Sequence, residues 1–449
     1  MASTAADDTI FALATPPGAA ALAVIRLSGI RTQEIVSALA GRVPEPRKAT
    51  LLALRDPVTI EVIDRAIVTW FPSPNSFTGE DSAEFSVHGS KAVVARLIDA
   101  LGAFPATRIS TRGEFSRRAL ENGKMNLIEV ESLADLISAE TEQQRKLGIA
   151  SLSGKFQTVV NGWRDQLLAM AIAIEGSLDF SDEDDVLLYE NAFIVQTTED
   201  LLSSMSRYIA THARGEILRS GLTVLISGPP NAGKSTLLNE LSCREIAIVS
   251  DLPGTTRDLI EVRLDLNGYL VNLVDSAGIR SSSDKIEAIG VTRAIERSRT
   301  ADLILWLCDR REIVPPPAEF AGMAVWRLYT KCDGGCEESL DDRAAKADDV
   351  TLPISVHSGY HVDELLRRME NFVATSFTGG DDYIAVNERQ RLALQRAAAA
   401  LKGLGDAVSI PEVIAMRLRE AIFELEGLIG KIGVEDVLDG IFSRFCIGK

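Results

Sequence analysis

The segment from Gly221 to Asp258 constrains the fold of this chain more than any other stretch. It begins with an apolar run at 222–227, continues as GPPNAGKS at 228–235, and then enters a helix-forming sequence. Strand, G-x-x-x-x-G-K-S and helix in this order are the context that a P-loop requires. The glycines let backbone N–H groups turn toward phosphate oxygens, and the helix N-terminus adds partial positive charge. We therefore expect Lys234 to contact the β- and γ-phosphates and the Ser235 hydroxyl to bind Mg²⁺.

The composition is that of a globular protein with several domains. The 449 residues include 46% hydrophobic and 25% charged residues, and this length predicts about three domains. The formal net charge of −17 argues against a chain that coats itself in nucleic acid, so any RNA contact must be local or shared with a partner. No run is long and apolar enough to span a membrane, the N-terminus lacks a basic export signal, and five cysteines are widely scattered. These features predict a cytoplasmic protein with no membrane segment.

Secondary-structure patterns predict a multidomain protein with α/β and all-α parts. Residues 1–120 alternate strand and helix signals, with strand signals at 22–26, 67–71 and 84–88, and further buried-strand runs lie at 303–308 and 325–329. The segments 121–215 and 381–449 are helical, and an apolar stripe at three- and four-residue intervals runs from Val160 to Leu178. Between them, 216–380 alternates buried-strand and helix patterns, which predicts a mainly parallel, doubly wound sheet of the Ras-like P-loop GTPase type. Asn267-Gly268 between two alternating runs predicts a β-hairpin. Helices on both sides suggest that 216–380 is inserted into one discontinuous helical domain.

Two motifs downstream of the P-loop predict its magnesium and γ-phosphate contacts. The sequence DSAG at 275–278 follows an apolar strand and fits a D-x-x-G element. There, Asp275 lies near Mg²⁺ through a water and the N–H of Gly278 faces the γ-phosphate. The sequence GTTRD at 254–258 precedes the hairpin, where a switch loop supplies a second hydroxyl to the metal.

The sequence TKCD at 330–333 predicts a guanine site. It follows a strand and fits the N-K-x-D pattern, and a carboxylate at Asp333 accepts both N–H donors on the guanine edge, which selects GTP. Two departures stand out, since Thr330 replaces the usual Asn and Val356-His357 replaces the usual Ala-Lys in the last base-contacting loop. We expect weaker guanine affinity than is typical, with the specificity retained by Asp333.

Hydrolysis needs an oriented water and positive charge on the transition state, which Ras-type enzymes obtain from a Gln and an arginine finger. In this chain Ile279 follows the D-x-x-G glycine, and an apolar side chain cannot orient water. Another group must therefore do so.

The set of motifs resembles the MnmE (TrmE) family of tRNA modification GTPases over essentially the whole chain. Besides the nucleotide motifs, the resemblance rests on ATPPG at 14–18, NSFTGED at 75–81, RGEFS at 112–116 and the terminal FCIGK at 445–449. It implies a K⁺ ion in place of an arginine finger, bound by Asn231, Ser250, Leu252 and Thr255. A point cation on the bridging phosphate oxygens supplies the same electrostatic stabilisation as a guanidinium.

The resemblance also assigns catalytic and GTP-binding residues. Ser235 and Thr256 would bind Mg²⁺, Glu287 would position the attacking water through a second water, and Lys234 would act on the phosphates. The complete GTP-binding set that it implies is Asn231, Ala232, Gly233, Lys234, Ser235, Thr236, Ser250, Thr255, Thr256, Asp275, Ser276, Ala277, Gly278, Lys331 and Asp333.

The resemblance places a folate site in the N-terminal domain. The implied contacts to 5-formyl- or methylene-tetrahydrofolate are Arg26, Glu84, Lys124 and Lys449. A carboxylate such as Glu84 can accept two pterin donors, and the cations can meet the glutamyl tail and the formyl oxygen. Cys446 is either a reactive thiol or a small buried one.

The resemblance implies a homodimer that works with an FAD- and NADH-dependent partner subunit of the MnmG (GidA) type in a heterotetramer or larger complex. Together they would add a carboxymethylaminomethyl group, of the aminomethyl type, to C5 of the wobble uridine of tRNA, with the folate giving a one-carbon unit. Two rivals stay open: a regulatory or ribosome-associated switch GTPase, and a folate-dependent one-carbon transferase that does not need hydrolysis.

One basic cluster in this acidic chain allows two interpretations. It could face phosphate groups, or it could be a solvated surface. Its members are Arg108, Arg112, Arg117, Arg118 and Lys124.

Overall fold

The computed structural model describes residues 8–179, 191–248, 261–275, 298–333, 350–376, 385–404 and 410–430, together with 441, 445 and 448. The chain divides into two compact units. One comprises 1–134, 157–194 and 399–449, and the other comprises 135–156 and 195–398. The boundaries predicted for three domains, at 120, 215 and 380, stay a prediction.

The first unit contains a six-stranded sheet. Its strands are β1 (Thr9–Leu13), β2 (Leu22–Ser28), β3 (Thr50–Arg55), β4 (Val62–Phe71), β5 (Ser82–His88) and β6 (Thr107–Ile109). They lie in the order β3-β4-β5-β2-β1-β6, and only the β1–β6 pairing is parallel. The inward residues of these strands form one apolar core with the helices beside them. The strands predicted at 22–26, 67–71 and 84–88 are confirmed.

The helical prediction is also confirmed. The helices are α1 (Thr32–Ala40), α2 (Lys91–Gly102), α3 (Glu114–Glu121), α4 (Leu127–Ile137), α5 (Glu142–Leu152), α6 (Lys155–Asp179), α7 (Asn191–Ala210), α8 (His212–Ser220), α9 (Lys234–Ser242), α10 (Val362–Ser376), α11 (Glu388–Leu401) and α12 (Pro411–Ile429). The apolar stripe predicted on α6 is buried from Val160 to Ile174. None of the helices in the described part of the chain combines the length and the apolar character needed to cross a membrane.

The second unit contains a seven-stranded sheet. Its strands are β7 (Leu222–Ser227), β8 (Ala247–Ile248), β9 (Glu261–Leu266), β10 (Tyr269–Asp275), β11 (Leu303–Asp309), β12 (Val325–Thr330) and β13 (Thr351–Pro353). The order is β13-β12-β11-β7-β10-β9-β8, parallel from β13 to β10 and antiparallel at β9 and β8. Parallel strands need crossover connections, and their carboxyl ends meet at one edge of the sheet, where ligands bind. The predicted doubly wound sheet is therefore confirmed.

The hairpin between β9 and β10 has the predicted turn chemistry. Asn267 has a φ of 54° and Gly268 a φ of 86°. A two-residue type I′ turn requires positive φ at both positions, which Asn and Gly adopt at low cost. The hairpin thus positions β10, which ends at Asp275, against the P-loop strand.

Two arginines of the basic cluster belong to an internal ion-pair network. Arg118 is 5% exposed and contacts Asp8, Glu80 at 3.1 Å and Glu114 at 3.2 Å. Arg108 pairs with Asp8 at 2.6 Å and with the Glu114 carboxylate. Both interpretations of the cluster are wrong for Arg118, because its charge is buried and paired with carboxylates of this chain, whereas Arg108 is exposed as well as paired. A buried charge without such partners would cost several kcal/mol.

Glu114 is expected to contribute stability that depends on pH. Burial raises the pKa of Glu114, but hydrogen bonds from Arg108 and from the Thr111 N–H lower it by more, so that the pKa falls to about 2. Above pH 4.5 the carboxylate is charged in both folded and unfolded chains and stabilises the fold. As the pH falls from 4.5 toward 2, the unfolded chain takes up the proton first, so that this stability is lost.

Glu114→Gln should therefore lower the local unfolding free energy by about 3 kcal/mol at pH 7. The difference in unfolding free energy between this variant and wild type should become smaller in acid. Native-state amide exchange of the buried β1 and β2 amides measures it. The control is Glu121→Gln, an exposed glutamate at the end of the same helix. If the difference in unfolding free energy between Glu114→Gln and wild type stays constant between pH 7 and pH 3.5, the stability does not depend on the protonation of Glu114.

Candidate functional site

The loop after β7 has the backbone conformation of a phosphate-binding loop. Gly228 has a φ of 147°, and a Cβ atom there would clash with the Leu307 carbonyl oxygen, so that only glycine fits. Asn231 has a φ of 59° and Gly233 a φ of 91°, and Gly233 is the N-cap of α9. Left-handed residues before a helix N-terminus form a concave backbone that favours anions.

Lys234 lies over this loop. Its Nζ donates to the carbonyl of Gly228 at 2.8 Å and to that of Pro229 at 2.9 Å. Burial lowers the pKa of Lys234, and the charge of Asp275 raises it in part. An ammonium group removed from water gains strongly from a nearby anion, because the local dielectric constant is low. The geometry thus favours a polyphosphate at this loop.

Asp275, at the end of β10, and Ser235, after β7, are two residues of the predicted magnesium site, and β10 and β7 are neighbouring parallel strands. Asp275 is the last residue of β10, is 2% exposed, and pairs in register with Ile226 of the P-loop strand. Ser235 and Thr236 are exposed in the first turn of α9, while Ala232 is buried. A hydroxyl after one strand and a carboxylate at the end of its neighbour are the kinds of oxygen ligand that Mg²⁺ prefers, so the residues present fit the predicted site.

The guanine-loop residues meet at the same sheet edge. The Ser355 hydroxyl, which is buried, donates to Oδ1 of Asp333 at 2.5 Å. It accepts in turn from the N–H of Ser358 at 3.1 Å, so the loop after β13 orients the carboxylate. The Thr330 hydroxyl donates to the Cys308 carbonyl at 3.2 Å, within the sheet. Its short side chain is used to join two strands.

Sequence reasoning missed two contacts here. Lys331 has a φ of 62°, and its Nζ donates to Oδ2 of Asp309 at 2.8 Å. Neither this pair nor the bond from Ser355 to Asp333 was anticipated. The available clue was that Asp309 ends a strand parallel to the one that precedes Lys331, and ends of neighbouring parallel strands converge.

In the first unit, Arg26 and Glu84 form a pair on neighbouring strands. Nε and Nη2 of Arg26 donate to Oε1 of Glu84 at 3.1 and 2.9 Å. The guanidinium carbon lies 5.3 Å from the ring centroid of Phe77 and 5.7 Å from that of Phe115. Both distances are within the range of cation–π attraction. The result is a partly exposed ionic pair next to two aromatic rings.

The first unit also contains Lys124 and two described residues near the end of the chain, Phe445 and Gly448. Phe445 is buried against Leu127, and a Cβ at Gly448 would clash with the Leu13 carbonyl. Lys124 is exposed, with its stem beside Gly79. Gly448 thus lies beside the end of β1, the strand that pairs with β2, which carries Arg26.

Ten of the predicted site residues lie outside the described residues. They are Ser250, Leu252, Thr255, Thr256, Ser276, Ala277, Gly278, Glu287, Cys446 and Lys449.

Comparisons with known proteins identify the family of this chain. A model of the GTP-binding protein TrmE N-terminus matches residues 9–124, and a model of the MnmE helical domain matches residues 127–446, well over half of the chain. The chain belongs to the MnmE family of tRNA modification GTPases. The resemblance inferred from the motifs is therefore confirmed.

Curated MnmE relatives match over nearly the full chain. The tRNA modification GTPase MnmE of Beijerinckia indica is 47% identical over 442 residues, which covers 98% of this chain and 96% of the relative. The MnmE proteins of Bradyrhizobium sp. BTAi1 and Methylobacterium sp. 4-46 are 43% and 45% identical, covering 99% and 98% of this chain and 99% and 100% of each relative. Membership in the MnmE family makes this chain a GTPase of tRNA modification, with GTP as substrate. The roles of individual residues stay predictions.

Proposed function

We propose that this MnmE-family chain hydrolyses GTP to drive modification of the wobble uridine of tRNA. With an FAD- and NADH-dependent partner of the MnmG type, it would add a carboxymethylaminomethyl group at C5, using a one-carbon unit from a folate. The supporting observation is that one chain carries both a guanine-nucleotide sheet edge and the Arg26–Glu84 pair beside two aromatic rings. A regulatory switch GTPase has no use for the second feature.

The contacts around Glu84 fit a pterin. Its carboxylate can accept two N–H donors of the ring, and Phe77, which is 38% exposed and lies beside Arg26, offers an apolar surface nearby. Arg26, Lys124 and Lys449 would meet the glutamyl carboxylates or a formyl oxygen. The ligand would be 5-formyl- or methylene-tetrahydrofolate.

Glu84→Gln is expected to weaken folate binding about tenfold or more, because an amide cannot accept two charge-assisted bonds. Calorimetric titration with 5-formyltetrahydrofolate measures this. Glu61→Gln, an exposed glutamate just before β4, serves as the control. Affinity within twofold of wild type for both variants would remove the folate site and favour the switch GTPase.

For hydrolysis, we propose Mg²⁺ bound by Ser235 and Thr256 and K⁺ bound by Asn231, Ser250, Leu252 and Thr255. Support comes from Asn231, which is exposed in the phosphate-binding loop with a φ of 59°, so that its side chain is available to a bound ion. The monovalent ion would stabilise the charge that develops on the bridging oxygens.

GTP turnover should therefore be at least about tenfold faster in KCl than in NaCl at equal ionic strength. The matched variant is Asn231→Gly, since glycine accepts a φ of 59° without strain and removes the whole side chain, including the amide oxygen that would bind K⁺. It should largely abolish the difference between the two salts. Equal wild-type rates in KCl and NaCl would exclude the potassium site.

We further propose a cytoplasmic homodimer that assembles with the partner subunit and tRNA into a heterotetramer or larger complex. The biological role is tested by mass spectrometry of wobble nucleosides from a deletion strain, with and without the wild-type gene. The strain should lack the C5 side chain and regain it on complementation. Normal anticodon bases in the deletion strain would overturn the proposal.

A further inference from the structure

The pair between Asp309 and Lys331 crosses two neighbouring strand ends. Asp309 is the last residue of β11 and lies in register with Thr330, the last residue of β12. Lys331 comes immediately after, and its Nζ reaches back to Asp309 Oδ2 at 2.8 Å. Lys331 has a φ of 62°, a left-handed conformation that non-glycine residues rarely adopt. Such conformations persist only where surrounding contacts hold them.

Asp309 is itself fixed by its own loop. Its second oxygen, Oδ1, accepts the N–H of Arg311 at 2.9 Å. The Asp309 side chain is 22% exposed and that of Lys331 is 42% exposed. The hydrogen bond from Lys331, and then that from Arg311, lower the pKa of Asp309, so the pair is ionic at neutral pH. One carboxylate thus joins the end of β11 to the residue that begins the guanine loop.

Two other hydrogen bonds between the end of β11 and the start of this loop are accepted by backbone carbonyls. The Arg310 N–H donates to the Thr330 carbonyl at 3.2 Å, and the Thr330 hydroxyl donates to the Cys308 carbonyl at 3.2 Å. Both bonds end at Thr330, so neither fixes the long side chain of Lys331. Of the contacts described here, only the one with Asp309 does so.

We propose that Asp309 is a positioning residue of the nucleotide site. By holding the ammonium group of Lys331, it fixes the four-carbon stem of that lysine as an apolar wall against the purine face. Asp333, whose carboxylate is oriented by Ser355, reads the guanine edge separately. This inference rests on the guanine site proposed above.

The separate roles of Asp309 and Asp333 predict different effects on nucleotide affinity. A methylene stem has no donors or acceptors, so its contact with a purine face does not depend on the substituents of the ring. Loss of Asp309 should therefore weaken the binding of guanine and hypoxanthine nucleotides by the same factor. Loss of Asp333, by contrast, changes the preference between bases.

The experiment compares the full-length wild type with Asp309→Asn, Asp309→Glu and the control Glu312→Gln. Glu312 is an exposed acid three residues away, and its change alters the charge equally. Dissociation constants for GDP and IDP come from displacement of a fluorescent GDP analogue. Asp309→Asn should weaken both about fivefold, the upper range for a partly exposed ion pair, and raise the KM for GTP with kcat within twofold. Asp309→Glu should recover most of the affinity, and Glu312→Gln should match wild type.

A double-mutant cycle isolates the pair itself. Lys331→Met keeps an apolar stem without the charge, so adding Asp309→Asn to it should have no further effect. High salt should shrink the difference between wild type and Asp309→Asn, because salt screens a partly exposed pair. If Asp309→Asn alone proves unstable, the variants in the Lys331→Met background still test the role of Asp309.

Three outcomes would overturn the inference. The first is that Asp309→Asn binds GDP and IDP with affinities within 1.5-fold of wild type, where about fivefold is expected. The second is that Asp309→Asn weakens the binding of GDP alone. The third is that Asp309→Asn has the same effect on affinity with and without Lys331→Met. Failure of the base site itself is distinguishable, because Asp333→Asn would then leave the guanine preference unchanged. If Asp333→Asn shifts the preference but Asp309→Asn has no effect, only the positioning role fails.

Discussion

Asp333→Asn is expected to lower GTP affinity about a thousandfold and to make xanthosine triphosphate the preferred nucleotide. The wild-type carboxylate accepts two N–H donors of guanine, whereas an amide presents a donor to one of them. Xanthine carries an oxygen in place of the 2-amino group, so the Asn amide donor finds an acceptor. Sites built around buried hydrogen bonds discriminate strongly, because a mismatch leaves polar groups unpaired.

Displacement titrations with GDP, XDP and ADP measure the change. The matched control is Ser355→Ala, which removes the hydroxyl that donates to Asp333 Oδ1 at 2.5 Å but keeps the carboxylate. It should cost about fivefold in GDP affinity without any gain in XDP affinity. GDP affinity of Asp333→Asn within tenfold of wild type, or no gain for XDP, would remove Asp333 from guanine recognition.

The sequence was sufficient for those parts of the fold that depend on local patterns. The strands β7 and β11 were predicted because buried parallel strands are short apolar runs, and the β9–β10 turn because Asn267-Gly268 suits positive φ at both positions. The stripe on α6 followed from helical periodicity. In each case the residues that determine the element are close together in the sequence.

The sequence was not sufficient where partners are distant along the chain. Arg118 looked like part of a basic surface, yet its carboxylate partners Asp8 and Glu80 are 110 and 38 residues away and are brought to it by the sheet. The same holds for Lys331 and Asp309, which are 22 residues apart. Charge clustering along a sequence shows which residues are near each other in the chain, but the fold decides which charges are neutralised.

The positions of the nucleotide-contacting groups leave one catalytic task to be assigned. Lys234 and the P-loop can bind the phosphates, and Asp333 can read the base, but neither group can position an attacking water on the γ-phosphate. Ile279 cannot do so either, because it is apolar. The resemblance to the MnmE family assigns this task to Glu287, which lies outside the described residues.

Glu287→Ala should therefore leave the dissociation constant for GTP within about twofold and reduce kcat about a thousandfold, in the range found for general bases. A group that acts only on the attacking water contributes to the transition state and not to ground-state binding, so kcat and kcat/KM should fall together.

Single-turnover hydrolysis in KCl with MgCl₂ separates the chemical step from nucleotide release. Asp284→Ala is the matched control, since it removes a carboxylate three residues earlier in the same segment, and its turnover should equal that of wild type. If Glu287→Ala hydrolyses GTP at the wild-type rate, the water must be positioned by another group. If Asp284→Ala is equally slow, the defect lies in the segment as a whole and the assignment to Glu287 fails.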